Sequence, residues 1–401
     1  MIGIDDARAR ILAGLVAVGP ETVALAEALG RITAAPVLAR LTLPPADVSA
    51  MDGYAVRVAE ARAGATLRLI GSAPAGHPFA GAMAAGETVR IFTGSFLPDG
   101  ADAVLLQEDA EAVGERVVVR ETVRPGQHIR RKGQDFTEAS TVISAGRRLG
   151  PRDIGLAAAA NHPWLTVHRR PRIAILATGD EIALPGEKVP AGGIVSSNAH
   201  ALAAMVIALG GTPIILPIAP DDIDAIARGA DGARGADLLV TTGGASVGDH
   251  DLVQAGLARR GLAVDFWKIA MRPGKPLMFG QLDDMPVLGL PGNPVSAFIC
   301  ALLFLRPALL RLAGLADAPL PLEPAQTKTP LRANDRRFDF LRAVLERNQD
   351  GALLAEAFAV QDSAMQASLA RADALILRPP HAPAVEAGGV VEILRFERLG
   401  L

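Results

Sequence analysis

The chain has 401 residues, of which 50% are hydrophobic, and a formal net charge of −3. That length and apolar content allow several large cores, so we expect several domains. The small net charge excludes the strongly basic surface of a nucleic-acid-binding protein and an acidic tail. Cys300 is the single cysteine, which excludes a disulfide within the chain. Without a secretory leader or an unbroken run of about 18 apolar residues, we expect a cytoplasmic protein that does not enter membranes.

The N-terminal part mixes helical and extended patterns. Helical spacing predicts helices over residues 4–17 and 21–29, the second ended by Gly30. From about residue 41 short alternating runs with many glycines and prolines predict a small β-rich module. A further helix over residues 153–160 returns to the first part, so the module is predicted to be an insertion between helical pieces.

Strands alternate with helices from residue 172 to about 315. This alternation predicts right-handed crossovers and a mainly parallel, doubly wound sheet. The predicted strands cover 173–177, 214–218, 238–240 and 287–290, with an extended segment at 263–269. The predicted helices cover 199–209, a segment that begins at 221–222, 251–259 and a long apolar helix from about 294 to 312. Beyond the proline-rich residues 319–321, short strands at 374–377 and 390–394 predict a small C-terminal β domain.

A glycine-rich turn follows the predicted strand at 238–240. It contains Gly243, Gly244, Ser246 and Gly248, and it ends at Asp251. Glycine lets the main chain approach an anion closely, and free N–H groups at the next helix start can point at it. The flanking carboxylates require a cation between ligand and protein. The turn therefore predicts a phosphate cradle with a metal ion, although a glycine-rich turn alone is also typical of a simple change in chain direction.

Ligands bind at the carboxyl ends of the strands in sheets of this kind. We therefore expect the polar groups of the strand-end loops to converge there: Asp180, Glu181, Asp221, Asp222, residues 243–251, Lys275 and residues 291–294. The chain has only five lysines, and Lys268 and Lys275 lie within eight residues. Lysine in an arginine-rich chain indicates that a compact point charge is needed, with a solvated loop as the alternative interpretation.

Seven stretches, in order along nearly the whole chain, resemble the molybdopterin molybdotransferase family, which inserts molybdenum into molybdenum cofactor. They are residues 49–56 (SAMDGYAV), 93–104 (TGSFLPDGADAV), 125–135, 176–186 (LATGDEIALPG), 241–251, 268–276 and 290–297 (LPGNPVSA). Taken singly, the first and third are also typical of tight turns with solvated charge. Their common order makes the resemblance specific.

The resemblance implies an α/β multidomain fold with four parts. These are an elongated helical domain (1–45 and 145–171), an inserted β domain (46–144), a doubly wound molybdopterin-binding domain (172–318) and a C-terminal β domain (319–401). It also implies a homodimer, in which the site lies between one subunit's molybdopterin-binding domain and the other subunit's N-terminal region. Other molybdenum cofactor biosynthesis proteins are the implied partners.

The implied reaction joins molybdate to adenylylated molybdopterin and releases AMP with the help of Mg²⁺. By position, the residues carried over as catalytic are Asp52, Asp135, Glu181, Asp251, Lys268 and Lys275. Those carried over as cofactor-binding are Thr93, Gly243, Gly244, Ser246, Gly248, Arg272, Pro291, Gly292, Asn293, Pro294 and Ser368. The metal ligands are expected among Glu181, Asp221, Asp222 and Asp251. Which carboxylate binds metal and which acts on water stays open. The preference for molybdate or tungstate as substrate also stays open.

The sequence departs from the family pattern at four places. Arg272 replaces a lysine, Gln134 replaces a glutamate, and Ser196 replaces an aspartate. The serine-rich C-terminal motif is reduced to residues 362–368, which leaves Ser368 as the candidate there. Two alternatives remain: a non-catalytic scaffold or carrier that binds molybdopterin, and a related enzyme that acts on another nucleotide or phosphate ester.

Overall fold

The computed structural model describes residues 1–243, 252–316 and 319–401. Its N-terminal part is dominated by short strands. In chain order its elements are α1 (Ile4–Ala13), β1 (Pro20–Ala24), β2 (Val37–Leu38), β3 (Val48–Ser49), β4 (Gly53–Val56), β5 (Thr66–Ala73), β6 (Glu87–Ile91), β7 (Ala103–Leu106), β8 (Ala110–Val113), β9 (Arg116–Val119), β10 (Ile129–Arg130), β11 (Thr141–Ile143), α2 (Pro151–Ala159) and β12 (Trp164–His168).

The inserted β module is a six-stranded sheet. Its strand order is β7-β4-β6-β5-β9-β8, with every pair antiparallel except β5 and β6. The two small sheets β3–β10 and β2–β11 join it to the first part of the chain. The predicted insertion of a β-rich module between helical pieces is confirmed.

The predicted helix over residues 21–29 is wrong. Residues Pro20–Ala24 form β1, which pairs antiparallel with β12, and only a short 3₁₀ turn, Leu25–Glu27, follows. Val23 is buried there in a cluster that includes Val37, Leu165 and Val167. Pairing with a distant strand thus overrides a local helical pattern. The first helix exists but ends at Ala13, and its buried Ile11 packs into the core of the α/β unit.

The α/β unit follows. Its elements are β13 (Arg172–Ala177), β14 (Ile182–Ala183), β15 (Ile194–Val195), α3 (Asn198–Ala208), β16 (Thr212–Ile215), α4 (Ile223–Asp231), β17 (Leu238–Thr242), α5 (Leu252–Ala258), β18 (Ala263–Trp267), β19 (Met271–Arg272), β20 (Met278–Leu282), β21 (Met285–Leu290), α6 (Pro294–Cys300) and α7 (Arg306–Leu312). The sheet has the order β16-β13-β17-β21-β20-β18. The first four strands are parallel, whereas β20 and β18 add an antiparallel edge. The predicted doubly wound sheet is confirmed.

One long apolar helix forms the centre of this unit. It runs over Pro294–Leu312, with a π-helical turn at Ala301–Leu305 between α6 and α7. Its length and its mean hydropathy of 1.9 would suit a membrane span, but 89% of its most apolar 18-residue stretch is buried inside the protein. Cys300 lies on it, and burial raises the pKa of that thiol. The helix is therefore a core helix of the α/β unit.

The C-terminal part is a closed barrel. Its elements are β22 (Leu322–Thr327), β23 (Phe338–Arg347), β24 (Leu353–Ala357), α8 (Gln366–Ala370), β25 (Ala374–Arg378) and β26 (Val390–Arg395). The strands run β23-β24-β22-β26-β25, and β25 pairs back to β23. Strand β19 of the α/β unit pairs in parallel with β23, so the barrel and the α/β unit share a hydrogen-bonded edge.

Candidate functional site

A cavity of about 390 Å³ opens at the carboxyl ends of β13, β17 and β21. After β13 the chain passes to β16 on one side, and β17 lies on the other side, so the cavity marks the point where the strand order reverses. It is lined by Ala177, Thr178, Glu181, Ile182, Ile194, Val195, Ser196, Ser197, Asn198, Thr242, Gly243, Pro276, Pro291, Gly292, Asn293, Pro294 and Ser296. The structure thus brings six predicted residues together: Glu181, Gly243, Pro291, Gly292, Asn293 and Pro294.

Gly243 forms the floor of the cavity where β17 ends. Its φ is +97°, and a Cβ at this position would lie 2.4 Å from the carbonyl oxygen of Thr178. Only glycine fits such a close approach of two main chains. The Thr178 hydroxyl is buried and has no hydrogen-bond partner within residues 1–243, 252–316 and 319–401. A buried polar atom at a cavity wall needs a partner, and a bound ligand would supply one.

Asn198 holds the cavity wall together. Its side-chain amide donates to the Gly292 carbonyl at 2.7 Å and to the Thr242 hydroxyl at 2.9 Å. Thr242 in turn donates to the Pro291 carbonyl at 3.2 Å. Neither Asn198 nor Thr242 was predicted as a site residue. Their positions were a usable signal, because Thr242 ends β17 and Asn198 begins α3.

The C-terminal barrel reaches the cavity through Ser363. Its hydroxyl accepts from the Asn293 amide at 3.0 Å, and its carbonyl accepts from Val295 N–H at 3.0 Å. Ser368 lies elsewhere: it is 1% exposed, donates to the Met365 carbonyl at 2.7 Å and accepts from Arg342. The structure therefore places Ser363, and not the predicted Ser368, beside the cavity wall.

Arg342 is a further residue that the sequence analysis misses. It is 1% exposed, and burial lowers the pKa of its guanidinium. It donates to the carbonyls of Met365 at 3.1 Å and Asp362 at 2.9 Å. These bonds fix the loop that carries Ser363. No sequence signal indicated this role, because the partners of Arg342 are main-chain groups about 20 positions away along the chain.

Carboxylates gather at one side of the cavity. Partial desolvation, and then the negative charges of Glu181 and Asp180, raise the pKa of Asp221. Asp222 has a different role from the predicted metal ligand, because its carboxylate caps α4 by accepting from Ala225 N–H at 2.7 Å. Asp251 lies outside the described residues, which by themselves contain no group of three or more side chains able to hold a metal ion.

The carboxylates of Glu181 and Asp221 are nevertheless ligands of the kind that Mg²⁺ prefers. Glu181 and Asp221 are oxygen ligands that repel one another, and hard cations prefer such carboxylates. A divalent cation would relieve this repulsion. Gly244, Ser246 and Gly248, the remaining predicted cradle residues, also lie outside the described residues.

Of the three predicted cations, Lys268 has the most unusual setting. It is half-buried, and its φ of +129° is rare for any residue other than glycine. Its main chain is held by bonds from Ile2 N–H and to the Leu277 carbonyl, both 3.2 Å long. Its ammonium lies 4.3 Å from the centre of the Trp267 ring. Strained backbone of this kind is concentrated at functional sites.

Arg272 and Lys275 differ in their contacts. Arg272 pairs with the buried Asp339 and, at 3.5 Å, with Asp335, both of the C-terminal barrel. These pairs give Arg272 a role in joining the two units. Lys275 is exposed, and the next residue, Pro276, lines the cavity.

Two residues of the N-terminal motifs, Asp52 and Thr93, meet on a second surface. Thr93 donates to the Asp52 carboxylate from its N–H at 2.7 Å and from its hydroxyl at 2.9 Å, and these bonds lower the pKa of Asp52. Pairing of β3 with β10 places Ile129 beside Ser49, whereas Asp135 lies farther along that segment, where its N–H donates to the Leu43 carbonyl at 3.1 Å. Asp52, Thr93 and Asp135 are all exposed. Among the described residues, the cavity lining contains none from this surface.

Comparisons with known proteins agree along the whole chain. Residues 2–161 match the MoeA N-terminal region (domains I and II), residues 174–311 match a probable molybdopterin binding domain, and residues 324–396 match the MoeA C-terminal region (domain IV). The chain is 32% identical over 403 residues to the molybdopterin molybdenumtransferase of Haemophilus influenzae, with all of both chains covered. It is 32% identical to that of Bacillus subtilis, covering 98% of this chain and 94% of the relative.

Solved structures show the same similarity. A crystal structure of the molybdopterin biosynthesis protein MoeA from Pyrococcus horikoshii OT3 superposes with a TM-score of 0.86 at 26% identity. The superposition covers 99% of this chain and 100% of that chain. The arrangement of the four parts is therefore that of the MoeA structures.

We predict that Gly243→Ala removes the cradle. The new Cβ would meet the Thr178 carbonyl at 2.4 Å in a left-handed backbone conformation, so the free energy of unfolding should fall by about 1–3 kcal/mol. Chemical denaturation measures this loss. Gly292→Ala is the matched control, because its Cβ would meet only Gly243 Cα at 3.4 Å, an ordinary contact. Equal stability of the two variants would contradict the close approach of β13 and β17.

We predict that Arg272→Met destabilises the fold and Lys275→Met does not. The first change leaves Asp339, whose side chain is 6% exposed, without its cation, and should cost about 1–3 kcal/mol of unfolding free energy. The second alters an exposed side chain, with an effect within about 0.5 kcal/mol. Urea denaturation of both variants provides the comparison. If Arg272→Met is stable but fails to bind substrate, the result would instead indicate that Arg272 binds the ligand.

Proposed function

The chain belongs to the molybdopterin molybdenumtransferase family, and on this premise we propose that it transfers molybdenum from molybdate to adenylylated molybdopterin and releases AMP. It is an enzyme of molybdenum cofactor biosynthesis that inserts molybdenum into molybdopterin. The adenylylated form of the substrate and the cleavage of its phosphoanhydride are the proposed details. The observation that carries them is the cavity walled by Gly243 and Glu181 at the point where the strand order reverses.

The cavity suits a phosphorylated ligand on one side and a metal on the other. Gly243 has no side chain to obstruct an anion, and the Thr178 hydroxyl, which no described residue engages, is a donor for it. Lys268 and Lys275 supply positive charge for molybdate and phosphate. Lys268 is half-buried, and its ammonium lies against the Trp267 ring, a contact that restricts the side chain before substrate arrives.

Mg²⁺ is the proposed cofactor, with Glu181 and Asp221 as ligands and Asp251 as a third. When bound, Mg²⁺ neutralises charge on phosphate oxygens as the anhydride breaks. Of this chain's own groups, the Thr178 hydroxyl and the two lysines bind the anionic phosphate, and one carboxylate of this set accepts the proton of the attacking water. A cytoplasmic location is proposed as well, because both substrates are small polar anions of intracellular metabolism.

A homodimer with shared sites is the proposed assembly. Asp52 and Thr93 are bonded to each other on an exposed surface, and Asp135 is exposed elsewhere in the N-terminal part, yet the described lining of the cavity includes none of the three. Both regions expose large apolar side chains: Ile194 is 56% exposed at the cavity, and Met51 is 43% exposed beside Asp52. A contact between the two regions would remove these apolar side chains from water. A second copy that places its Asp52 surface over the cavity would complete the site.

We predict AMP release that depends on molybdate. Adenylylated molybdopterin incubated with the protein, Mg²⁺ and molybdate should yield AMP, and Glu181→Ala should lower the rate by on the order of 10²–10⁴-fold. Glu187→Ala is the control, because this carboxylate lies in the same loop and, among the described residues, bonds only to the Leu184 N–H, at 3.0 Å. Chromatographic quantification of AMP provides the measurement.

Each other outcome of this assay identifies a different function. Tight binding without AMP release would indicate a scaffold or carrier. AMP release that ignores molybdate, or release from unrelated nucleotides, would indicate an enzyme that acts on another phosphate ester. Substitution of tungstate for molybdate measures the preference between the two oxyanions.

We predict that two inactive variants restore each other. Co-expressed Asp52→Asn and Glu181→Gln chains should form mixed dimers with one intact site, and a random mixture should regain about one quarter of wild-type activity. Asp52→Asn mixed with Asp135→Asn is the control, because both changes affect the N-terminal part of a subunit and no site is intact. Absence of recovery in the first mixture, or a monomer in sedimentation, would contradict the shared site.

A further inference from the structure

Arg90 lies on strand β6 of the inserted module, and its side chain is enclosed by two aromatic rings. The guanidinium carbon lies 5.1 Å from the centre of the Tyr54 ring and 4.8 Å from that of Phe92. Tyr54 is the only tyrosine of the chain and is buried. A planar guanidinium stacks on aromatic faces in a way that an ammonium cannot reproduce. The side chain of Arg90 is therefore held in one orientation.

The same guanidinium bonds to the segment that carries Asp52. It donates to the Gly53 carbonyl at 2.8 Å and to the Gln107 side-chain oxygen at 2.5 Å. The Gln107 N–H in turn donates to the Asp52 carbonyl at 3.3 Å. Asp52 is thus fixed through its own carbonyl and through that of the next residue.

Arg90 also contacts the segment that carries Thr93, since Phe92 directly precedes that residue. Arg90 therefore contacts a direct neighbour of each member of the Asp52–Thr93 pair. It bonds to Gly53, which follows Asp52, and it stacks on Phe92, which precedes Thr93. Gly53 packs directly against the neighbouring strand, because a Cβ there would lie 1.9 Å from the Leu105 carbonyl oxygen. Arg90 is the one side chain among those described that the structure shows bonding to Gly53 and stacking on Phe92.

Such support matters because the Asp52 side chain is exposed. An exposed carboxylate samples several rotamers unless its neighbours restrict it. The Thr93 bonds, and to a smaller degree the charge of Arg90, lower the pKa of Asp52 and so favour its ionised form.

We propose that Arg90 is a positioning residue, which holds the Asp52–Thr93 pair in the geometry that the site of a second subunit requires. This inference rests on the proposed function, in which Asp52 acts in the reaction. Arg90 does not touch substrate; it acts through Asp52. Its aromatic enclosure and its bond to Gly53 require the planar fork of arginine, so lysine at this position retains the charge but loses the alignment.

The first test measures kcat and KM of AMP release for Arg90→Met and Arg90→Lys. A displaced catalytic group lowers kcat, so Arg90→Met should lose on the order of 10²-fold in kcat with little change in KM, and Arg90→Lys should lose less. Arg68→Met is the matched control, because Arg68 belongs to the same sheet and pairs with Glu87 on the exposed surface. Wild-type kcat in Arg90→Met would overturn the proposal.

The second test separates positioning from a merely structural role. Arg90→Met introduced into Asp52→Asn should lower the residual rate by less than about twofold further, because the residue through which Arg90 acts is already lost. A full additional loss would show that Arg90 supports the fold at large and would overturn the proposal. If Arg90→Met does not fold, Arg90→Lys takes its place in the same cycle.

The Asp52→Asn variant by itself separates the proposed role of Asp52 from the proposed role of Arg90. If it is fully active, the proposed role of Asp52 fails, and the role of Arg90 fails with it. If it is inactive while Arg90→Met and Arg90→Lys fold and have wild-type kcat, the proposed function stands and only the inference about Arg90 is overturned.

Discussion

The close approach of two main chains at the ends of β13 and β17 is the constraint on which the rest of the site depends. Gly243 leaves no space for a side chain against the Thr178 carbonyl. The strands can therefore diverge only beyond this contact, and the divergence opens the cavity. Asn198 then joins the end of β17 to the loop after β21 through one amide group. A single side chain thus fixes the width of the cavity, which sets the size of ligand it admits.

The contacts that hold the site extend well outside the α/β unit. Ser363 of the barrel bonds to the loop at Asn293, and Arg342 fixes the segment that presents Ser363. Strand β19 extends the pairing of the barrel toward the loop that contains Lys275. Buried polar networks of this kind rigidify the groups they join when every member is bonded. The barrel therefore supports the site as a structural wall.

The sequence predicts the α/β unit well because its strands and helices follow hydrophobic periodicity, and because strand-end loops of a parallel sheet converge by geometry. Glu181, Gly243 and residues 291–294 were found by this reasoning. It fails where a distant partner decides the outcome. Residues 20–24 become a strand only because β12 lies beside them, Arg272 joins Asp339 across 67 positions, and Ser368 turns inward to Arg342. None of these partners is visible in a local pattern.

The shared edge between β19 and β23 has a consequence for how this protein can diverge. The Arg272–Asp339 pair and the ladder beside it join two units that are otherwise separate in chain order. Replacement of either charge alone leaves the other without its partner, so the cost of a change in one unit depends on the residue that the other unit presents. A barrel exchanged for one without an acidic residue at position 339 would therefore require a matching change at Arg272.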